Sequence, residues 1–195
     1  ALPISEQGQL VRSRASFDRA LAIVTKVLGP EHPDVAIIVG NLGNLAYLEG
    51  KPGVAREQLE RALAIREKAM GPDHASLAYT LGNLGNAEQA EGDLPRAREH
   101  LERALAIRTR TLGLEHPHVG LTLASLASVA HDEGNDAEAR ERYEQALGIL
   151  VKTLGPDHPN VAEVRDRVTE LERSQSPVGA VPDPSPAAAP ATQAP

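Results

Sequence analysis

The sequence predicts an all-α protein, a superhelical solenoid of antiparallel helix pairs, because three separate markers recur with one period. A phrase of the form Arg-Ala-Leu-Ala-Ile begins at Arg19, Arg61 and Arg103, and a weaker copy begins at Gln145; successive copies lie 42 residues apart. A repeat of this length indicates stacked supersecondary units that bury their apolar faces against each other. The other two markers are a Gly-Pro-acid-His phrase and a single glycine. Gly29, Gly71, Gly113 and Gly155 begin the first, with Leu114 in place of the proline in the third copy, and Gly8, Gly50, Gly92 and Gly134 are the second.

Each repeat divides into two predicted helices, helix A and helix B. Glycine suits the left-handed residue that follows a helix, and proline cannot continue that helix but is tolerated in the first turn of the next. In the first complete repeat, helix A therefore spans about 33–49 and Gly50 to Gly53 form the turn. Helix B follows over about 54–69, where apolar residues recur with a period close to 3.6.

The same division predicts the organisation of the whole chain. A terminal helix needs a polar outer face to stay in water, and the last predicted helix is rich in Glu and Arg. The segment after it is rich in Pro and Ala, buries too little apolar surface to fold, and is predicted to be disordered. The units are a partial repeat over 1–28, complete repeats over 33–70, 75–112 and 117–154, the capping helix over 159–173, and the tail over 174–195. The partial repeat consists of the end of a helix A, a turn at Gly8 and a full helix B.

Composition restricts the function. A net charge of −7 repels phosphate backbones, so we expect no nucleic acid partner. Charges of both signs are mixed along the helices and no long apolar run occurs, so we expect no membrane association. The chain has no cysteine, which excludes disulfides and thiol catalysis and fits a cytoplasmic location. Aromatic residues make up only 2%, which suits helices that bury Ala and Leu against near neighbours.

The order of small and large residues resembles the tetratricopeptide repeat family. Asn41-Leu42-Gly43-Asn44 is followed by Gly50, Ala55, Leu59 and Ala62, and the next repeat keeps this order from Asn83-Leu84-Gly85-Asn86. The third copy, from Ser125-Leu126-Ala127-Ser128, lacks both asparagines. The 42-residue variant is similar to the repeats of kinesin light chains. The resemblance covers about residues 1–172 and implies a right-handed superhelix whose helices A line a concave, protein-binding face.

The resemblance also places candidate binding residues on that concave face. An asparagine side chain both donates and accepts hydrogen bonds, so a row of them can bind a peptide backbone, and tyrosines offer anchoring contacts. No Lys or Arg occupies the corresponding helix A positions, so a carboxylate clamp of the kind found in chaperone-binding relatives is not expected. The candidate peptide-binding residues are Asn44, Tyr47, Tyr79, Asn86, Gln89, Ser128 and His131.

Structural explanations compete with these assignments. Asn41 and Asn83 are interpreted as residues that bond between neighbouring helices, whereas Asn44 and Asn86 fit either role. The two tyrosines fit either the groove or ordinary packing between repeats.

Catalysis, cofactors and metal binding are not expected. One histidine recurs in each Gly-Pro-acid-His phrase, and repeats stacked about 10 Å apart cannot bring these side chains to one ion. We interpret them as residues that cap helices or fix loops: His32, His74, His116 and His158. The sequence contains no phosphate-binding Gly-Lys-Ser/Thr loop, no dinucleotide fingerprint and no Gly-x-Ser-x-Gly nucleophile motif.

Two functions therefore stay open. The first is an interaction scaffold that binds an extended peptide or a partner protein in the concave groove. The second is a sensor or regulatory segment of a larger signalling ATPase or transcription regulator, which the incomplete first repeat favours. A helix B without its helix A leaves an apolar face uncovered, so self-association through this N-terminal end is a further expectation.

Overall fold

The computed structural model describes residues 4–175, and this part of the chain is helical apart from short connections. Consecutive helices pack against each other, and α2, α4 and α6 also touch one another, so they share one side of the stack. The predicted solenoid of antiparallel helix pairs is confirmed. The helices are α1 Ile4–Leu28, α2 Pro33–Leu48, α3 Pro52–Met70, α4 Leu77–Glu91, α5 Leu94–Leu112, α6 Pro117–Asp132, α7 Asp136–Leu154 and α8 Pro159–Gln175. None of them is long and apolar enough to cross a lipid bilayer.

The repeated histidines fix the connections between repeats. His32 precedes the first residue of α2, and its Nδ1 accepts a hydrogen bond from the Asp34 backbone N–H at 3.2 Å. The bond satisfies one of the backbone donors that a helix start leaves without a partner. The loop-fixing interpretation is confirmed for all four histidines: the other three bonds join His74 to the Ser76 N–H, His116 to the His118 N–H and His158 to the Asn160 N–H.

Glycine allows close contact between helices A and B within a repeat. A Cβ on Gly85 of α4 would lie 2.6 Å from the Leu101 side chain and 3.0 Å from the Ala97 carbonyl oxygen on α5. Gly43 has the same relation to Leu59 and Ala55 in the preceding repeat, at 2.8 and 3.2 Å. Any larger residue would push the two helices apart, which explains the small residues in the repeat pattern.

The predicted turn at Gly8 is wrong, because α1 runs without a break from Ile4 to Leu28. Gly92 and Gly134 have φ values of 85° and 80°, and each is followed by a residue, Asp93 or Asn135, whose side chain caps the next helix. Gly8 is followed by Gln9-Leu10-Val11, which offers no cap and suits a helix interior. The helix therefore continues through the glycine, and the first unit contains a single long helix.

The two ends of the stack differ. On α1, Ile23 is 61% exposed, whereas the corresponding Ile65 and Ile107 are 7% and 2% exposed because a helix A covers them. At the other end, α8 runs from Pro159 to Gln175. Residues 176–195 of the predicted tail lie outside the described residues.

Arginine–glutamate pairs join successive repeats. Arg14 of α1 pairs with Glu49 at 2.9 Å, and Arg56 of α3 pairs with Glu91 at 2.7 Å. Arg98 of α5 pairs with Glu133 in the same way. In each pair the glutamate lies 35 residues after the arginine, so the contact always links a helix B to the end of the next helix A. These pairs hold neighbouring repeats in one register.

Candidate functional site

A groove with a cavity of about 500 Å³ lies on the side where the helices A meet. Its walls come mainly from α4, α6 and α8, and side chains of α5 and α7 reach its floor. A second cavity of about 240 Å³ continues it toward α2. Six of the seven predicted binding residues line one or both cavities: Asn44, Tyr47, Tyr79, Asn86, Gln89 and Ser128.

Three of the groove side chains are bonded to each other across the α2–α4 interface. The Asn44 Nδ2 group donates to the Tyr79 hydroxyl at 2.8 Å, and Asn83 Nδ2 donates to Asn44 Oδ1 at 2.7 Å. The interpretation of Asn83 as a residue that bonds between neighbouring helices is confirmed. It is wrong for Asn41, whose side chain makes no hydrogen bond within the part of the chain that the structure describes. The bonds hold the Tyr79 ring in place while leaving it 53% exposed in the groove.

Asn86 differs from Asn44 because its side-chain amide makes no hydrogen bond with any described residue. Its side chain lines both cavities. Both the donor and the acceptor of the amide are therefore open to a ligand.

Gln89, Ser128 and Tyr143 connect α4, α6 and α7 at the groove floor. Gln89 Nε2 donates to Ser128 Oγ at 2.7 Å and to Asp132 Oδ2 at 2.6 Å. Tyr143 shares a hydrogen bond with Ser128, and burial raises the pKa of the Tyr143 phenol. These polar groups are already paired, so they shape the groove and are less open to a ligand than Asn86.

His131 lies outside the two cavities. Its Nδ1 is 2.7 Å from the Asp136 carboxylate, at the start of α7. The histidine occupies the repeat position of Tyr47 and Gln89, but its side chain is turned to the connection between α6 and α7.

Two arginines line the main cavity, Arg108 and Arg167, although the helix A positions of the three complete repeats hold no Lys or Arg. Arg108 belongs to α5, a helix B, and extends into the groove between helices A. Its Nη1 donates to the Thr122 hydroxyl and, at 3.4 Å, to the His118 carbonyl oxygen. Arg167 belongs to α8 and pairs with Glu170 at 3.2 Å.

Burial affects the charges of this part of the groove. Desolvation lowers the pKa of the Arg108 guanidinium. Desolvation also lowers the pKa of the His118 imidazole, and the positive charge of Arg108 lowers the His118 pKa further. The repeat pattern of the sequence indicates only helix A positions for the groove. Arg108 belongs to a helix B, so the pattern did not predict it as a groove residue. The recurrence of Arg66 and Arg108 at the repeat distance was a visible sign of a shared environment.

The fold and the groove define a helical repeat solenoid with a polar concave face. The chain belongs to the tetratricopeptide repeat family, whose model matches residues 4–68, 39–110, 73–150 and 119–176. The predicted membership and the similarity to kinesin-light-chain repeats are thus confirmed. No curated protein matches the chain.

Solved structures share the architecture. The nearly identical repeats of a Podosopora anserina protein assigned as a kinesin light chain are 30% identical, with a TM-score of 0.71 over 87% of this chain and 80% of that chain. BtubC from P. vanneervenii is 19% identical, with a TM-score of 0.67 over 97% of this chain and 83% of that chain. The N-terminal domain of stress-induced protein-1 from C. elegans is 17% identical, with a TM-score of 0.51 over 72% and 96%. The last two support the fold alone.

Proposed function

We propose that this protein is an interaction scaffold that binds an extended peptide of a partner protein in the groove between α4, α6 and α8. The observation that carries the proposal is the uncommitted amide of Asn86, which faces both cavities beside the half-exposed ring of Tyr79. Tetratricopeptide repeat proteins are generally scaffolds of this kind.

The groove offers what an extended peptide needs. A peptide backbone presents one N–H and one C=O per residue, and the Asn86 amide matches both. The Tyr79 ring is held by Asn44, so little conformational entropy is lost when a ligand packs on it. Gly82 lines the same wall and leaves space close to the helix backbone.

The experiment is to select peptides from a random library on the full chain and to measure their Kd values by fluorescence anisotropy. Asn86→Ala should weaken binding about fivefold, which corresponds to about 1 kcal/mol for lost hydrogen bonds. Asn41→Ala is the matched control, because Asn41 also lacks hydrogen bonds among the described residues but lies outside both cavities.

Tyr79→Ala should have a larger effect, about 30-fold, because truncation of an aromatic anchor typically costs about 2 kcal/mol. Circular dichroism of each variant establishes that the helices are retained. Selected peptides that bind Asn86→Ala, Tyr79→Ala and the native chain equally would show that the groove is not the binding surface.

A further inference from the structure

The groove contains an arginine that, unlike Arg14, Arg56 and Arg98, forms no ion pair among the described residues. Arg108 extends from α5 past Gly82 of α4, and a Cβ on residue 82 would lie 3.2 Å from Nη2 and 3.5 Å from Nη1. The missing Cβ therefore leaves one side of the guanidinium uncovered at the wall of the cavity. Both hydrogen bonds of Arg108 use Nη1, so Nη2 and Nε have no acceptor among residues 4–175.

No carboxylate of the described residues neutralises the Arg108 side chain. Arg98, on the same helix, pairs with Glu133 and Glu138, and these bonds raise its pKa. Arg108 has no Asp or Glu oxygen within 4.0 Å in the described part of the chain, and its two acceptors are neutral. A half-buried guanidinium with unused donors retains an unpaired charge, which favours an anion from outside.

We propose that Arg108 binds the carboxylate of an Asp or Glu side chain in the peptide that occupies the groove, so that the site selects acidic peptides; this rests on the proposed function. The guanidinium comes from a helix B rather than from the concave face of a helix A. A carboxylate accepts two parallel N–H bonds from a guanidinium, which matches the unused Nη2 and Nε donors.

The other charged groups of the cavity disfavour a dianion more than a single negative charge, because the carboxylate of Glu163 also lines it. His118, Glu163 and Arg167 also line the cavity, and Arg167 is paired with Glu170. Arg108 is thus one unpaired cation, whereas phosphoryl groups carry nearly two charges and are usually recognised by several arginines together. Asp132, bonded to Gln89 nearby, adds a negative charge that also disfavours a dianion.

The preceding repeat provides a matched control. Arg66 lies one repeat earlier and donates to Thr80 as Arg108 donates to Thr122, and burial lowers its pKa in the same way. Arg66, however, lines neither cavity. The third repeat has Leu150 at this position. Among the three complete repeats, only Arg108 is therefore placed to determine where along the groove the acidic residue of the peptide binds.

The experiment compares pairs of selected peptides that differ only by Glu→Gln or Asp→Asn. On the native chain the acidic member should bind about 10- to 100-fold more tightly. Arg108→Gln should remove this preference while leaving the affinity for the amide member almost unchanged, and Arg66→Gln should keep it. Arg108→Lys should restore it only in part, because an ammonium makes no bidentate contact. Thermal unfolding of each variant separates a folding defect from a binding defect.

Three results would overturn the proposal. If peptides bind in the groove without any acidic preference, the scaffold function stands and the role of Arg108 is wrong. If the preference persists in Arg108→Gln, another cation such as Arg167 is responsible. A phosphoserine peptide that binds more tightly than its Glu counterpart through Arg108 would assign the site to phosphoryl groups instead.

Discussion

Glu88 and His100 face each other at 2.7 Å inside the second repeat, where the Glu88 side chain is fully buried between α4 and α5. Arg96 reaches the second oxygen of the carboxylate at 3.2 Å. The corresponding positions of the first repeat hold Ala46 and Gln58. The second repeat thus contains a buried carboxylate with two side-chain partners where the first contains a small apolar residue.

Removing one member of this contact should destabilise the protein. His100→Ala leaves the Glu88 carboxylate buried with less compensation, and we expect a loss of about 2–4 kcal/mol in the free energy of unfolding. The double variant Glu88→Ala/His100→Gln, which copies the first repeat, should regain most of that loss. Urea unfolding followed by circular dichroism measures both. A His100→Ala variant with native stability would mean that the contact contributes nothing.

A methyl group on Gly85 should separate α4 from α5. Its Cβ would lie 3.0 Å from the Ala97 carbonyl oxygen, a backbone atom that cannot rotate away. Gly85→Ala should therefore lower stability by about 1–3 kcal/mol. Gly148→Ala is the control, because apart from its chain neighbours and its own helix backbone no described residue has an atom within 4 Å of its Cβ, and alanine stabilises a helix interior by up to about 1 kcal/mol. Equal melting temperatures for the two variants would contradict the close-contact role of Gly85.

Stability should fall in acid, partly through Glu138. The hydrogen bond from Arg98, more than that from Arg142, holds the pKa of Glu138 below its ordinary value of 4.5. A carboxyl group with a lower pKa in the folded state binds fewer protons there. Its stabilisation is therefore present above the unfolded pKa and is lost as the pH falls through the folded-state pKa.

The Arg98→Gln variant tests this dependence. Its melting temperature should fall less between pH 7 and pH 3 than that of the native chain, because one source of the acid sensitivity is gone. Arg110→Gln serves as control, since Arg110 Nη1 lies 3.8 Å from the Asp73 carboxylate and both side chains are exposed. If the melting temperature of Arg98→Gln falls with pH as much as that of the native chain, the Arg98–Glu138 pair is not a source of the acid sensitivity.

Self-association through α1 stays a prediction. Ile23 lies on the face that a helix A covers in the other repeats, and it is 61% exposed. We expect the sedimentation coefficient to rise with protein concentration and Ile23→Asp to abolish the rise. Val11→Asp is the control, because Val11 is exposed on another side of the same helix. A chain that stays monomeric at all concentrations would show that the open face does not mediate contacts.

The sequence by itself determined the repeat and the local signals that start and end its helices. Glycines at the ends of helices, prolines in first turns and capping histidines act within a few residues, so their pattern predicted the bounds of α2, α3 and α8 to within two residues. The small residues Gly43 and Gly85 also followed from the repeat, because close helix contact admits little else at those positions.

Only the tertiary structure decided which side chains face the groove. Asn44 is committed to Tyr79 and Asn83 across a repeat boundary, whereas Asn86, at the same repeat position, has no partner among the described residues. Arg108 reaches the groove because Gly82 leaves a passage between helices. Such outcomes depend on the distances between helices and on the reach of long side chains, and the one-dimensional period of the sequence contains neither.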